Sequence, residues 1–589
     1  MRAAAFLALL PAASGFATPA SRTRRARAGP RMVSDASSPT AEESSADCLV
    51  IGAGISGCSL AHSLHRAGAD VLLAEARDYV GGNVVTRSDD EGFVWEEGPN
   101  GFAVNDFVVR MAYELGIADE LVFADASLPP WVNHGGTIHP LPKGKGSDGV
   151  KGQLELVFGS NGVLKFGLLG GLLSWPGKLR AAVGLFLGHA PPPAAKEETI
   201  REWVTRILGE EVFLRVIDPF VSGVYAGDPQ TLAVKAALPK IANIERVSYE
   251  EIEYNKFGAL FYGGLKRTGE VFKERKANPP PAAWPDFEPG NTGSFRRGLA
   301  TLPRAVQAEL GDGAVRLGWR LEALERDGPA GGGYVARFAT PDGPRVVRAR
   351  SVVSTAPAHA LRGVLDGVLP EAAALFSKPR PAIGRDAGIY HPPVAAVTVA
   401  YPKSAFRDVE LPNGFGPLRE LPGFGMLNPR TEGVRTLGTL WSSSLFPGRC
   451  PPDYNLLLNY IGGSRDVALG ELSEAEIVAE VDKGCRQTLL DAAAPPPKVL
   501  AVKVWPTAIP QYELGHAEII AELERGEAKT PGLWVCGNYR TGVAFPDCVK
   551  FGYDHAEKVL RFLDANADGA AAGAPTEPAA REAASPVAA

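Results

Sequence analysis

The chain is poor in the residues that metal and disulfide chemistry require. Its 589 residues include only six cysteines: Cys48, Cys58, Cys450, Cys485, Cys536 and Cys548. No two form a CxxC pair, and no cysteine–histidine cluster has zinc spacing, which argues against a metal site or a disulfide framework. The pattern reads as reduced thiols in a chain that is not secreted. There is no basic excess either: 61 Lys and Arg stand against 67 Asp and Glu, a net charge of -6. That speaks against a nucleic-acid partner. Long apolar runs are also lacking. Ala3 to Leu10 is too short to span a bilayer, and Val163 to Leu187 is interrupted by Lys165, Gly170, Gly171, Pro176, Lys178 and Arg180. What remains is an ordinary globular composition, long enough for more than one core.

Both ends read as segments outside the fold. Residues 1–46 carry a short apolar run, then the small residues Ala12 to Gly15 and Phe16. Arg22, Arg24, Arg25, Arg27 and Arg31 follow, with no acid until Asp35. An apolar stretch leading into a basic, acid-poor one suggests two targeting signals in series. The pattern resembles bipartite plastid leaders, with a mitochondrial presequence as the alternative. Residues 565–589 are rich in Ala, Pro and Glu and read as a disordered tail.

The first structured unit is legible. Cys48 to Ile51 is a short apolar run that reads as a buried parallel strand. It enters Gly52-Ala53-Gly54-Ile55-Ser56-Gly57, after which Leu60, Ala61, Leu64 and Ala67 recur at helical spacing. Val71 to Ala74 reads as a second strand, ending at Glu75. This is a βαβ unit with a dinucleotide fingerprint. Gly52 permits the turn, Gly54 admits a pyrophosphate, and Gly57 lets helix and strand pack closely. The helix start favours phosphate, and Glu75 stands where an acid accepts from ribose hydroxyls.

The next segment favours FAD over NAD. Arg77, the pair Gly81-Gly82, Asn83 and the run Gly98-Pro99-Asn100-Gly101 follow the acid. They resemble the extended signature of amine oxidase-like flavoproteins. Near the other end, Gly532 to Cys536 reads as a strand, followed by Gly537-Asn538 and Gly542-Val543-Ala544. A helical pattern then starts near Cys548. One cofactor domain is therefore closed by distant parts of the chain. A strand from Ala314 continuing to Leu324 is expected to join its sheet.

Further segments are specific. Asp218 to Pro229 reads DPFVSGVYAGDP, Thr292 to Leu299 reads TGSFRRGL, and Thr436 to Pro447 reads TLGTLWSSSLFP. With Pro392 to Val397 and Trp505 to Tyr512, they resemble the protoporphyrinogen oxidase family, its plant plastid form most closely, over roughly residues 47–563. The resemblance implies an α/β fold: a Rossmann-like FAD-binding domain, an inserted α+β substrate domain and a helical membrane-associating domain. The expected division gives 47–130, 291–365 and 501–564 to FAD binding. It gives 131–245 to the helical region, and 246–290 and 366–500 to the substrate domain.

The resemblance also implies FAD-dependent removal of six electrons from protoporphyrinogen IX, with molecular oxygen reoxidising the flavin. Its FAD contacts carry onto Gly52, Gly54, Gly57, Glu75, Arg77, Asn83, Gly98, Pro99, Asn100, Gly101, Leu321, Trp505, Gly542, Val543 and Ala544. The tetrapyrrole pocket carries onto Gly223, Val394, Leu421 and Trp441. No triad or paired carboxylate is evident, and none is needed if the flavin does the redox chemistry. Asn100 could orient substrate or simply stabilise its turn. Val163 to Leu187 could be two amphipathic pieces at a membrane interface, with lysines at the rim.

One departure stands out. Where the family has an Arg for a substrate propionate, Leu128-Pro129-Pro130-Trp131 places Pro130. A bidentate Arg has no conservative replacement. His134, His139 and Lys143 are the nearby candidate donors. Oxidation of coproporphyrinogen and a non-catalytic FAD- or tetrapyrrole-binding role remain as alternatives. The oligomeric state stays open, a homodimer included.

Overall fold

Two seven-stranded sheets carry the molecule, and the space between them becomes the site. The computed structural model describes residues 42–141, 170–189, 196–250, 260–288, 290–328, 332–380, 383–385 and 388–566. The predicted tail beyond 566, Lys143, Lys165 and residues 163–169 lie outside the described residues. All described residues belong to one unit that starts at Glu42.

The first sheet grows from β1 (Glu42–Ile51), α1 (Ile55–Arg66) and β2 (Val71–Ala74). Cys48 to Ile51 pair in parallel with Val71 to Ala74, and all four residues of β2 are buried. Burial on both faces explains why these strands read as unbroken apolar runs. The strand Arg345–Ser354 lies on the other side of β1, and Leu533–Val535 pairs in parallel with its end at Val352 to Ser354. Helix α1 packs against the long helix Phe545–Ala565. A Cβ at Gly552 would lie 2.2 Å from Ser59 Oγ, so a glycine is required at that crossing. Ser59 Oγ also donates to the Val549 carbonyl at 2.7 Å.

Two expectations are corrected here. β1 begins at Glu42, not after residue 46: Glu42 to Ala46 pair with Arg345 to Ala349. The leader ascribed to residues 1–46 therefore overlaps the fold by five residues. Their Glu-Glu-Ser-Ser sequence has no apolar run because this half of the strand is less enclosed, and Glu43 pairs with Arg348. Deleting residues 1–41 is expected to leave the thermal midpoint unchanged. Deleting residues 1–46 removes these strand pairs and should lower it by about 2–4 °C, readable by differential scanning fluorimetry.

The single strand expected over 314–324 is two strands. Val315–Arg316 pairs in parallel with β2, whereas Arg320–Arg326 runs antiparallel to Tyr334–Ala339. Gly318, at φ +71°, turns the chain between them, and the Gly318 and Trp319 amides donate to the Arg77 and Glu75 carbonyls. The turn thus lies against the end of β2, beside the predicted cofactor residues.

The second sheet has the order 498–505, 394–402, 454–462, 436–441, 425–427, 130–134, 137–140. All its pairings are antiparallel except that of 425–427 with 130–134. The helix Glu474–Thr488 packs on it over a core containing Trp131, Tyr401 and Trp441. A third, helical cluster gathers Ile200, Trp203, Val204, Ile207, Phe213 and Val221. The fold is a mixed α/β architecture with a Rossmann-like parallel core.

Candidate functional site

The site starts where β1 ends. Gly52 adopts φ +97°, and Thr355 Oγ1 donates to the Ile51 and Gly52 carbonyls at 3.1 and 2.9 Å. A Cβ on Gly57 would stand 1.9 Å from the Gly52 carbonyl oxygen, so the third glycine is fixed by packing. Gly54 differs. Its φ is -68°, open to any residue, and a Cβ there would meet nothing within 4 Å. Among the described residues nothing requires a glycine at 54. The open space beside it belongs to the cavity, with room for a group to approach the start of α1. The first turn of α1 has no acid and no side-chain cap, which leaves its amides for an anion.

Glu75 braces this turn. Its buried carboxylate accepts from the Ala53 amide at 2.7 Å and the Arg77 amide at 2.9 Å, and lone pairs remain for ribose hydroxyls. Arg77 donates to the Gly82 carbonyl at 2.7 Å and stands 5.3 Å from the Trp505 ring. The Gly81 amide donates to Ala53, and a Cβ on Gly82 would lie 3.2 Å from the Gly54 Cα. Asn83 presses its carbonyl on Gly98, where a Cβ would sit at 1.9 Å. From the second sheet, Trp505 Nε1 donates to the Glu97 carbonyl at 2.7 Å and the Tyr460 hydroxyl to the Gly98 carbonyl at 2.8 Å. The loop 97–98 is thereby pinned between the sheets.

These residues line one cavity of about 1520 Å³. Its wall includes Gly52, Gly54, Glu75, Arg77, Asn83, Gly98, Pro99, Gly101, Leu321 and Trp505. Gly542, Val543 and Ala544 close it at the start of the helix Phe545–Ala565, again without a side-chain cap. Gly223 and Val394 lie in the same wall, and Val394 pairs with Trp505 across neighbouring strands. The volume exceeds the roughly 300–1,000 Å³ of an ordinary small-molecule site, leaving room for a cofactor and a second ligand.

Four predicted residues stand outside the wall. Gly57 packs under the turn. Asn100 is buried and accepts from Ser442 Oγ at 2.9 Å, which favours its role in stabilising the turn. Leu421 and Trp441 are fully buried in the second sheet's core, where Trp441 stacks on Trp131 with ring centres 6.3 Å apart. Around Pro130, the two described candidate donors, His134 and His139, do not reach the cavity. Pro130 opens the strand 130–134, and His134 Nδ1 is 2.7 Å from the Glu432 carboxylate. Burial holds His139 below its ordinary pKa. None of these three lines the cavity.

Sequence reading missed several wall residues: Tyr460, Thr355, Lys240 and the pair His359 and His391. The histidine rings are 4.9 Å apart and edge-on. Burial, then the neighbouring His359, pushes His391 down to about 3, so it is neutral near pH 7. Among the described residues neither of its ring nitrogens closes a hydrogen bond to a side chain. Orphaned polar atoms in a cavity wall suit a ligand that carries hydroxyl and phosphate groups. Thr355 alone had a legible signal, a small polar residue directly after a strand. The others are brought in by tertiary packing.

The glycine cradle, two uncapped helix starts and a large adjoining chamber define a dinucleotide-binding flavoprotein. A model of the family "Flavin containing amine oxidoreductase" matches residues 55–560. The chain is 40% identical over 523 residues to Protoporphyrinogen oxidase 1, chloroplastic, of Arabidopsis thaliana, covering 88% of each chain. It is 41% identical over 528 residues to Protoporphyrinogen oxidase, chloroplastic, of Oryza sativa subsp. japonica, covering 88% of this chain and 89% of that one. A solved structure from Exiguobacterium sp. 255-15 shares the fold, with a TM-score of 0.62 at 22% identity over 89% of this chain and 99% of that one. The chain belongs to the flavin containing amine oxidoreductases and, within them, to the protoporphyrinogen oxidases. FAD is the cofactor, and the cradle fits it.

Proposed function

We infer that this chain oxidises protoporphyrinogen IX to protoporphyrin IX, in heme and chlorophyll synthesis within a plastid. The observation that carries the reading is the single cavity running from the Gly54 cradle to Gly223 and Val394. Bound FAD would supply a two-electron acceptor, which oxygen would reoxidise while itself being reduced to hydrogen peroxide. Three turnovers remove six electrons and six protons from the macrocycle and convert three oxygen molecules into three peroxides. Gly52, Gly54, Glu75, Arg77 and Gly542 to Ala544 hold the cofactor. The pinned loop 97–98 and Trp505 fix the wall between the two ligands, and the apolar chamber keeps water from the reacting face. Two sheets and a separate helical cluster support the division into cofactor, substrate and helical parts.

Purified protein given protoporphyrinogen is expected to develop porphyrin fluorescence with peroxide in a three-to-one ratio to porphyrin. Coproporphyrinogen and a polyamine run in parallel test the alternatives. Faster turnover of either would replace the reading. A fusion of residues 1–41 to a fluorescent protein is expected in the plastid, and delivery only to mitochondria would overturn that part.

Peripheral membrane contact belongs to the same reading. Trp175, Leu179 and Leu187 are exposed by 68, 68 and 63%. No described helix is long and apolar enough to cross a membrane. Lys178 is not at a rim as expected: it is buried, with its ammonium 4.6 Å from the Trp175 ring centre. Phe220 and Val224 are exposed and also line the cavity, so its edge is apolar where a lipophilic substrate enters. Replacing Trp175 and Leu179 together by Glu should cut co-sedimentation with anionic vesicles by at least about tenfold. Unchanged binding would remove the segment from the membrane surface.

A further inference from the structure

The chamber beyond the cradle is apolar, lined by Gly223, Val224, Val394, Leu437 and Tyr460, yet one lysine stands in its wall. Lys240 follows Pro239 at the start of the helix Pro239–Glu250 and lines the same cavity as Tyr225 and Asp547. It is exposed, and among the described residues its ammonium closes no hydrogen bond or salt bridge.

The other cations of the wall are placed differently. Arg77 is bound to the Gly82 carbonyl, and Arg540 to Glu527 at 2.8 and 2.9 Å. Arg320 stands between Trp319 and Leu321, beside the turn that packs on Glu75. All three belong to the cofactor end. The neighbouring acid, Asp547, is held above its ordinary pKa by burial, with Lys240 acting against that rise. Asp547 forms no ion pair with the lysine among the described residues.

We propose that Lys240 receives a carboxylate of the macrocyclic substrate and so selects acidic tetrapyrroles over neutral ones. The proposal rests on the reading of the chamber as the tetrapyrrole site. A flat apolar ring with carboxylates on one side can bury its ring among Gly223, Val394 and Leu437 while an acid reaches the unpaired ammonium. Once the ring covers the lysine, water is displaced and the charge-assisted bond strengthens. His134 and His139, on the strands of the second sheet, do not line the cavity and cannot serve.

The test is a binding measurement on FAD-loaded protein in detergent micelles, by fluorescence titration with protoporphyrin IX and with its dimethyl ester. Wild type is expected to prefer the diacid by about tenfold, an advantage that shrinks with added salt. Lys240→Met should abolish the preference by weakening the diacid alone, and Lys240→Arg should restore it. Flavin absorbance should be unchanged in both variants. A Met variant that keeps the wild-type ratio would overturn the proposal. So would loss of flavin from that variant, which would assign the lysine to the cofactor. Failure of the wild type to oxidise the reduced macrocycle would refute the proposed activity, but the two porphyrin affinities would still report on Lys240.

Discussion

A Gly54→Val variant is expected to fold normally and to purify colourless. Gly54 has an ordinary φ, and the space its Cβ would enter is empty of protein. The added side chain costs the apoprotein little. It fills the gap through which the cofactor pyrophosphate must approach the start of α1. Flavin affinity should fall by a hundredfold or more, about 3 kcal/mol. Gly57→Val is the informative partner, because its Cβ would lie 1.9 Å from the Gly52 carbonyl and must displace the turn itself. That variant should lose thermal stability as well as flavin. The pair is read by absorbance near 450 nm and by melting curves. Full flavin occupancy in folded Gly54→Val would show that the cradle is not the pyrophosphate site.

The second large effect is expected at a buried ion pair just before the pinned loop 97–98. Glu96 and Arg449 are almost wholly enclosed and 3.2 Å apart. Glu96 also accepts from Thr86 Oγ1 at 2.7 Å and the Leu299 amide at 2.9 Å, while Arg449 donates to Ser294 Oγ and the Phe295 carbonyl. Three stretches distant in sequence meet at this one network. Arg449→Met leaves a carboxylate buried without its cation, and such losses cost about 3–5 kcal/mol.

The pH dependence has a definite sign. Burial already pushes Glu96 up to about 6 against the pull of Arg449. In the unfolded chain the carboxyl gives up its proton at lower pH than in the fold. The preference for the folded state is therefore complete below the unfolded value and is lost as pH rises to about 6. Removing Arg449 extends that loss to higher pH. The variant should melt closer to wild type at pH 5 than at pH 7.5. An equal deficit at both values would mean that the charge on Glu96 is not what destabilises it.

The cofactor half was legible because its constraints are local. Turn, close approach and helix start each demand a particular residue within a few positions, so Gly52, Gly54, Gly57 and Glu75 can be read in order. The start of β1 was not legible. Glu42 to Ala46 are held by backbone pairing to a strand some 300 residues later, and pairing of that kind leaves no apolar pattern. The split at Gly318 was hidden for a related reason, since β-forming residues lie on both sides of the turn. On the substrate side, Gly223 and Val394 reached the cavity wall, while Trp441 and Leu421 face a core. An aromatic on a strand has the same signature in either role, and only the packing of the opposite face decides. Lys240 and His391 had no signature at all, because what marks them is a place in the cavity wall with no hydrogen bond closed among the described residues.

The cradle also sets an order of events in the life of the chain. Ser59 on α1 meets Val549, 490 residues later, and the strand Leu533–Val535 must arrive before Val352 to Ser354 gain their parallel neighbour. A growing chain cannot complete the flavin site before residues 542–565 have been made and have packed on α1. Cofactor capture is thus a late step, which waits until these distant parts of the chain have met. A fragment that stops short of residue 542 lacks the second helix start and with it one side of the cradle.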